Sequence, residues 1–186
     1  MVVALGVGLV LGLAVGGPVG VAHAGAEIEG YADYQPQTRC ADRVKPGTKV
    51  LARWAWDRGG APGGLLRDCS SGGASEHKDG RAFDWTLDAT RKRDRRVARS
   101  FLRRVLASDR QDRPHALARR MGIMYVIWND RMWSSWDRFD PEAYLSSSCR
   151  SRKRCSKTLR HRDHLHVSLS KPGARARTSW YDGRVS

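Results

Sequence analysis

Two short segments of this chain, SEHKDGRAFDW and HRDHLHVSLS, carry side chains that can meet around one metal ion. Neutral imidazoles together with a carboxylate suit zinc, and a set of three protein ligands leaves a fourth position open for water. An open position is typical of a catalytic metal and not of a structural one. The side chains concerned are His77, Asp84, His161, His164 and His166.

The spacing within each segment predicts how these side chains converge. Residues two apart in a strand face the same side, so His164 and His166 project together if HLHVSLS is a strand. Gly80 stands between His77 and Asp84 and lets the backbone turn without a clash at Cβ. We therefore expect a loop and the start of a strand to bring His77 and Asp84 to the same place.

The other two histidines of the chain are set aside. His23 lies in an apolar N-terminal segment that we expect to be removed. His115 follows Arg113 and Pro114 at a basic helix start, where we expect a solvated surface residue. All four remaining histidines thus fall in the two segments that also carry the carboxylate.

Both helices and strands are predicted around these residues. Apolar spacing predicts an amphipathic helix with a basic outer face over 89–108 and a short helix after Pro114. Strands are predicted at DWTLD, at the nearly all-apolar GIMYVIWN and at HLHVSLS, whereas 50–56 fits a short helix or strand. The elements interleave without a parallel-sheet rhythm, which predicts an α+β fold with a small central, mostly antiparallel sheet flanked by helices.

The domain boundaries follow from composition. Residues 2–22 carry no charge and run into Ala22-His23-Ala24, the small-residue pattern of a signal peptidase site, so 1–24 is predicted to be a signal peptide. An uncleaved membrane anchor is the alternative, although Gly16, Gly17 and Pro18 disfavour it. We expect an irregular lead-in over 25–48 and one domain over 49–186, secreted or associated with the cell wall and without a stable membrane span.

Cysteine number and net charge bear on the surroundings of the protein. Four cysteines in an exported chain favour disulfides, and of three pairings we favour Cys40 with Cys69 and Cys149 with Cys155. A four-cysteine zinc site is disfavoured because no C-x-x-C pair is present. The net charge of +15 predicts affinity for polyanions, with anionic cell-wall polymers and nucleic acid as the candidates.

The two motifs together resemble a known group of enzymes. SEHKDGRAFD resembles the Ser-x-His-x-x-Gly-x-Ala-x-Asp pattern of zinc peptidases of the D-alanyl-D-alanine carboxypeptidase type, which belong to the LAS metallopeptidases. HRDHLHV resembles the His-x-His segment of the penicillin-insensitive murein endopeptidases of the same group. The chain is also similar to secreted actinobacterial proteins with such a domain, over roughly 34–180.

The resemblance implies a zinc metallopeptidase acting on peptidoglycan stem peptides, with His77, Asp84 and His166 as the Zn²⁺ ligands. Asp163 stands where the carboxypeptidases of this group hold a catalytic Glu, so the carboxylate is one methylene shorter. His164 matches the first histidine of the endopeptidase motif and is a candidate for proton transfer or transition-state stabilisation. The base is thus Asp163 or His164.

Further candidates are weaker. His161 could share the work of His164, and Ser75 matches the motif serine that would support the metal loop. A substrate carboxylate would want a guanidinium partner, for which Arg67 is one candidate. Two tryptophans in the loop after IWNDR could form a platform for a sugar or peptide, whereas Trp85 and Trp128 should be core residues. The platform candidates are Trp133 and Trp136.

Two other functions compete with the peptidase. A non-catalytic zinc domain of the same fold, binding a cell-wall or protein ligand, would keep the three metal ligands but be indifferent to loss of Asp163 and His164. A secreted metal-dependent nuclease would use the positive charge to bind phosphates. A helix and a buried strand separate the two histidine segments here, unlike the compact ββα unit of His-Asn-His nucleases, so nucleic acid is not the expected partner.

Overall fold

The computed structural model describes residues 1–2 and 27–185. The predicted signal segment and its cleavage site, with His23, fall almost wholly outside the described residues. Within residues 1–2 and 27–185, no helix has the length and hydropathy to cross a membrane.

Four helices and six strands make up the described chain. The helices are α1 (Pro46–Trp56), α2 (Lys92–Val105), α3 (Ala116–Arg120) and α4 (Lys171–Ala174). The strands are β1 (Ala61–Pro62), β2 (Ala82–Thr86), β3 (Ile123–Trp128), β4 (Arg131–Ser134), β5 (Pro141–Ala143) and β6 (His164–Leu169). Short 3₁₀ turns occur at Ser135–Asp137, Arg152–Arg154 and Ser179–Tyr181.

The six strands form one antiparallel sheet with the order β1-β2-β6-β3-β4-β5. The last of the described strands in sequence order, β6, therefore lies in the middle, between β2 and β3. The sheet, its helices and two disulfides form a single domain, which confirms the predicted α+β architecture. The strand predicted at DWTLD begins two residues earlier, at Ala82.

One face of the sheet carries the main hydrophobic core. Alternate residues of the central strands point to that face, and helix α2 packs there through apolar residues spaced at one side of its turns. The arginines of α2 remain on its outer side, as its amphipathic pattern predicts. The central buried side chains are Phe83, Trp85, Phe101, Val105, Val126, Leu165, Val167 and Leu169.

The segment from 27 to 45 contains no helix or strand, and the first helix begins at Pro46. This lead-in is nevertheless held against the domain. The Tyr31 hydroxyl lies 2.9 Å from His115 Nδ1, and the Ala32 amide donates to the Ser135 hydroxyl at 2.7 Å. His115 is consequently half-buried and structural, so the expectation of a solvated surface residue was wrong.

Both favoured disulfides are present. Cys40 pairs with Cys69 and Cys149 pairs with Cys155, and no free cysteine remains in the chain. The first bond ties the lead-in to the loop that precedes the SEHKDGRAFD motif. Two disulfides are typical of proteins that work in an extracellular or otherwise oxidising environment.

Candidate metal centre

Strand pairing sets the positions of two of the predicted ligands. In the antiparallel pair of β2 and β6, Asp84 lies directly opposite His166. Residues opposite each other project to the same face, and the face that Asp84 and His166 share is the one turned away from the main core. His164, two residues before His166 on β6, faces the same side, as the strand period predicts.

The loop before β2 supplies the third residue. Gly80 has φ +73°, and a Cβ there would come within 2.7 Å of the Arg43 carbonyl oxygen, so this turn requires glycine. The Arg81 amide donates to the Glu76 carbonyl at 2.9 Å and closes the loop around His77. His77 is thereby buried and directed toward Asp84.

Three ligand atoms meet at one point. His77 Nε2 lies 3.2 Å from Asp84 Oδ1 and 3.2 Å from His166 Nδ1, and His166 Nδ1 lies 3.0 Å from Asp84 Oδ1. With ligand bonds of about 2.0–2.1 Å and tetrahedral angles, two ligand atoms are separated by about 3.3 Å. The three observed separations are close to that value, so His77, Asp84 and His166 form a group that can hold a metal ion.

The partners of the outer ring nitrogens support the same conclusion. His77 Nδ1 faces the Leu65 carbonyl oxygen at 3.4 Å, and because a carbonyl can only accept, the proton belongs on Nδ1. His77 Nε2 then presents a lone pair to the carboxylate oxygen of Asp84. Facing lone pairs repel one another unless a cation or proton lies between them. His166 Nε2 contacts the Ser168 hydroxyl at 2.8 Å, the kind of outer contact that orients a metal-binding histidine.

The charges of the group suit a cation. Burial alone would raise the pKa of Asp84, but hydrogen bonds to His166 and His77 hold that pKa well below its ordinary value, so the carboxylate is ionised. Burial lowers the pKa of His166 despite the attraction of Asp84, which keeps that imidazole neutral near pH 7. An anionic carboxylate and a neutral imidazole are the forms that ligate metal ions.

A pair made of one histidine and one carboxylate borders this group. His164 Nδ1 lies 2.8 Å from Asp163 Oδ1, and the Thr158 hydroxyl donates to Asp163 Oδ2 at 2.6 Å. The other ring nitrogen, His164 Nε2, points toward the metal group and lies 3.7 Å from Asp84 Oδ1. Asp163 therefore fixes the proton of His164 on Nδ1 and leaves Nε2 as the free acceptor.

His161 is also brought to this place. Its ring centroid lies 4.6 Å from that of His164 and 5.6 Å from that of His166. Burial, followed by the nearby imidazoles, lowers the pKa of His161 to about 2, so the ring is neutral at any physiological pH. Its buried Nδ1 has no hydrogen-bond partner among the described residues.

The sequence patterns did not single out two residues that lie beside the ligands. The Tyr125 ring of β3 stacks on His166, with centroids 5.5 Å apart and planes 21° from parallel. The Tyr125 hydroxyl donates to the buried Glu76 carboxylate at 2.6 Å, and Glu76 immediately precedes His77. One hydrogen bond thus connects the loop that carries His77 to the ring that packs against His166. No local sequence pattern indicates this hydrogen bond, because Glu76 and Tyr125 are 49 residues apart in the chain.

The predicted substrate residues are divided by the structure. Trp136 contacts Tyr125 and lies on the side of the metal group, whereas Trp133 packs against the main core on the opposite face of the sheet. Arg67 is exposed, two residues after the Leu65 carbonyl that faces His77. The Ser75 backbone carbonyl accepts from the Lys78 amide at the start of the metal loop. Trp85 and Trp128 are buried in the core, as expected.

Comparison with known proteins gives one match. A family model described as VldE, C-terminal domain, matches residues 40–151. The matched part contains His77 and Asp84 and ends before His166. Neither a curated protein nor a solved structure matches the chain.

Proposed function

Because the chain belongs to the family of the VldE C-terminal domain and its fold gathers two imidazoles and a carboxylate at one point, we propose that it is a secreted zinc-dependent peptidase. Its substrates are peptide bonds in the stem peptides of peptidoglycan or in their cross-links. The observation that carries this proposal is the approach of three ligand atoms to within 3.0–3.2 Å of one another, beside an oriented His164.

Zinc is the metal that this donor set favours. Two imidazole nitrogens and one carboxylate oxygen at near-tetrahedral separations match the ligand sets of catalytic zinc, whereas calcium and magnesium prefer sites made of oxygen. His77, Asp84 and His166 would hold the ion. When bound, zinc polarises a substrate carbonyl and lowers the pKa of water from 15.7 to about 7.

The proton is moved by His164. Its Nε2 accepts a proton from the attacking water and returns it to the leaving amine, while Asp163 keeps the ring in the required tautomer and orientation. Asp163 is itself oriented by Thr158, whose hydroxyl donates to Oδ2, while Oδ1 contacts His164 Nδ1. This division of roles chooses between the two candidate bases left open by the sequence: His164 is the base and Asp163 is the positioning residue.

His161 has a different task in this proposal. Because its ring stays neutral, His161 can line the site without competing with His164 for the proton. The neutral ring also avoids placing a second positive charge beside the ion. The positive net charge of the chain would add a weaker, salt-sensitive attraction to anionic cell-wall polymers.

The experiment separates metal binding from turnover. We would load His164→Ala, His166→Ala and the control His115→Gln with zinc, measure bound zinc, and follow cleavage of defined muropeptides by mass spectrometry. His164→Ala should retain zinc and lose activity by about 10²- to 10⁴-fold, the usual contribution of a positioned acid or base. His166→Ala should lose both zinc and activity, and His115→Gln should keep both.

Two results would refute the proposal. Full cleavage by His166→Ala would show that the metal group is not the active site. If the wild-type protein binds zinc tightly but cleaves no muropeptide, the non-catalytic wall-binding domain is favoured instead. Asp163→Asn serves as a third variant: it should lower turnover without changing the zinc content, because only the orientation of His164 is affected.

A further inference from the structure

An exposed pair of aromatic rings adjoins the candidate metal centre. Tyr34 is 53% exposed and Trp136 is 40% exposed, and among the described residues they are the only aromatic members of the exposed large hydrophobic side chains. Their ring centroids lie 5.3 Å apart, with planes at 67°. Two exposed aromatic residues that are far apart in sequence have thus been brought together at one place.

The pair is continuous with the metal group. Trp136 contacts Tyr125 at a centroid distance of 6.0 Å, and Tyr125 stacks on the ring of His166. A row of rings therefore leads from a metal ligand to the surface. We call the two outer rings, Tyr34 and Trp136, the aromatic shelf.

The backbone beneath the shelf is held in place. Next to Tyr34, the Gln35 amide donates to the Met124 sulfur at 3.3 Å, and the Gln35 carbonyl accepts from the Arg81 guanidinium at 2.6 Å. On the other side of the shelf, the Ser135 hydroxyl beside Trp136 accepts from the Ala32 amide. Side chains that are exposed on a fixed backbone lose little entropy on binding, which is typical of recognition surfaces.

We propose that the aromatic shelf binds a sugar ring of the substrate, next to the peptide bond that is cleaved. This inference rests on the proposed function and names the substrate as a glycan-linked peptide and not a free one. A pyranose has an apolar face of C–H groups that packs on an aromatic ring, and its hydroxyls can bond the phenol and indole groups at the ring edges. Two rings near a right angle offer both a face and an edge to such a ligand.

The test compares one peptide with and without its sugars. We would titrate the zinc-loaded protein with a disaccharide tetrapeptide and with the same tetrapeptide freed of sugar, measuring Kd by calorimetry. Trp136→Ala and Tyr34→Ala should weaken binding of the disaccharide tetrapeptide about tenfold and leave the free peptide within about twofold, as expected for loss of one central contact. Trp136→Phe, which retains a ring, should recover most of the affinity.

A matched control is Val185→Ala, since Val185 has the same 40% exposure and lies in the C-terminal segment. It should bind both ligands like the wild type. Equal weakening of both ligands by Trp136→Ala would mean that the rings hold peptide, and no weakening would mean that they hold nothing; either result overturns the inference. Binding needs no cleavage, so a protein that prefers the sugar-linked peptide but cuts neither would refute the peptidase and leave the shelf intact.

Discussion

The two faces of the central sheet are built from the same strands but have opposite chemistry. Along β6, Leu165 and Val167 point into the main core, whereas His164 and His166 point to the metal group. On β2 the core residue Phe83 directly precedes the ligand Asp84 in the same way. Fully packed residues thus alternate with metal-facing ones along these two strands, and Asp84 and His166 are each positioned by apolar neighbours one residue away.

This arrangement separates stability from chemistry at adjacent positions. The core face should determine the free energy of unfolding, while the other face should determine metal binding and turnover. Substitutions at neighbouring residues can test whether the two properties are in fact independent.

The largest effect on stability is expected at the core face. Leu165→Ala removes a fully buried side chain and should lower the free energy of unfolding by about 2–5 kcal/mol, through lost burial and the cavity that remains. His164→Ala, at the preceding residue, should change it by less than about 1 kcal/mol, because His164 is not in the core. Urea unfolding of both variants gives the comparison, and similar losses would show that the faces are not separable.

A smaller effect, on metal affinity, is expected where strand β3 is linked to the loop that carries His77. Tyr125→Phe keeps the ring that stacks on His166 but removes its hydrogen bond to Glu76. Loss of a direct contact to a metal ligand typically weakens metal affinity by about 10- to 100-fold, and since this bond reaches the ligands only through Glu76 and the Tyr125 ring, we expect a loss near the lower end of that range. Competition with a chelator would measure zinc affinity in Tyr125→Phe and in Glu76→Gln, and unchanged affinity in both would remove the linking role of this hydrogen bond.

A third effect concerns the pH dependence of the metal-free protein. The fold lowers the pKa of His161 from its ordinary 6.5 to about 2, and it also lowers the pKa of His166. Below pH 6.5 these two histidines are therefore protonated in the unfolded chain while they stay neutral in the folded chain. The contribution of these histidines to stability is therefore fully present above pH 6.5 and is lost as the pH drops, at up to about 1.4 kcal/mol per pH unit for His161.

The measurement is urea unfolding of the metal-free protein at pH 7.5 and pH 5. His161→Gln cannot titrate and should show a shallower loss than the wild type between these two values. An equally steep loss in that variant would mean that His161 is not held neutral by the fold.

Local rules predicted which candidate ligands lie together, the family resemblance chose the three ligands among them, and neither indicated the residues that pack beside them. The strand period placed His164 and His166 together, and the glycine at position 80 indicated the turn that brings His77 to Asp84. Strand β3 is buried at all six residues, so its sequence carries no alternation to show that Tyr125 faces the metal group. Tyr34 was missed because the lead-in has no periodic pattern, and only tertiary contacts place it beside Trp136.

The case of the two tryptophans shows the same limit. Trp133 and Trp136 are three residues apart in an apparent loop, and the sequence treats them alike. In the structure Trp133 belongs to β4 opposite Val126, and this register turns its ring to the core. Trp136 falls in the 3₁₀ turn after the strand, where the chain changes direction and the ring reaches the other side. Register, which depends on the partner strand, decided the difference.

The central place of β6 in the sheet also bears on when the metal can be acquired. His166 follows His77 by 89 residues and Asp84 by 82 residues, so it is made well after both of them. Until that strand inserts between its two neighbours, the chain offers only a histidine and an aspartate on a half-formed sheet. A chain that lacks β6 would therefore offer only two of the three residues that can hold the metal, so tight metal binding should require the completed sheet.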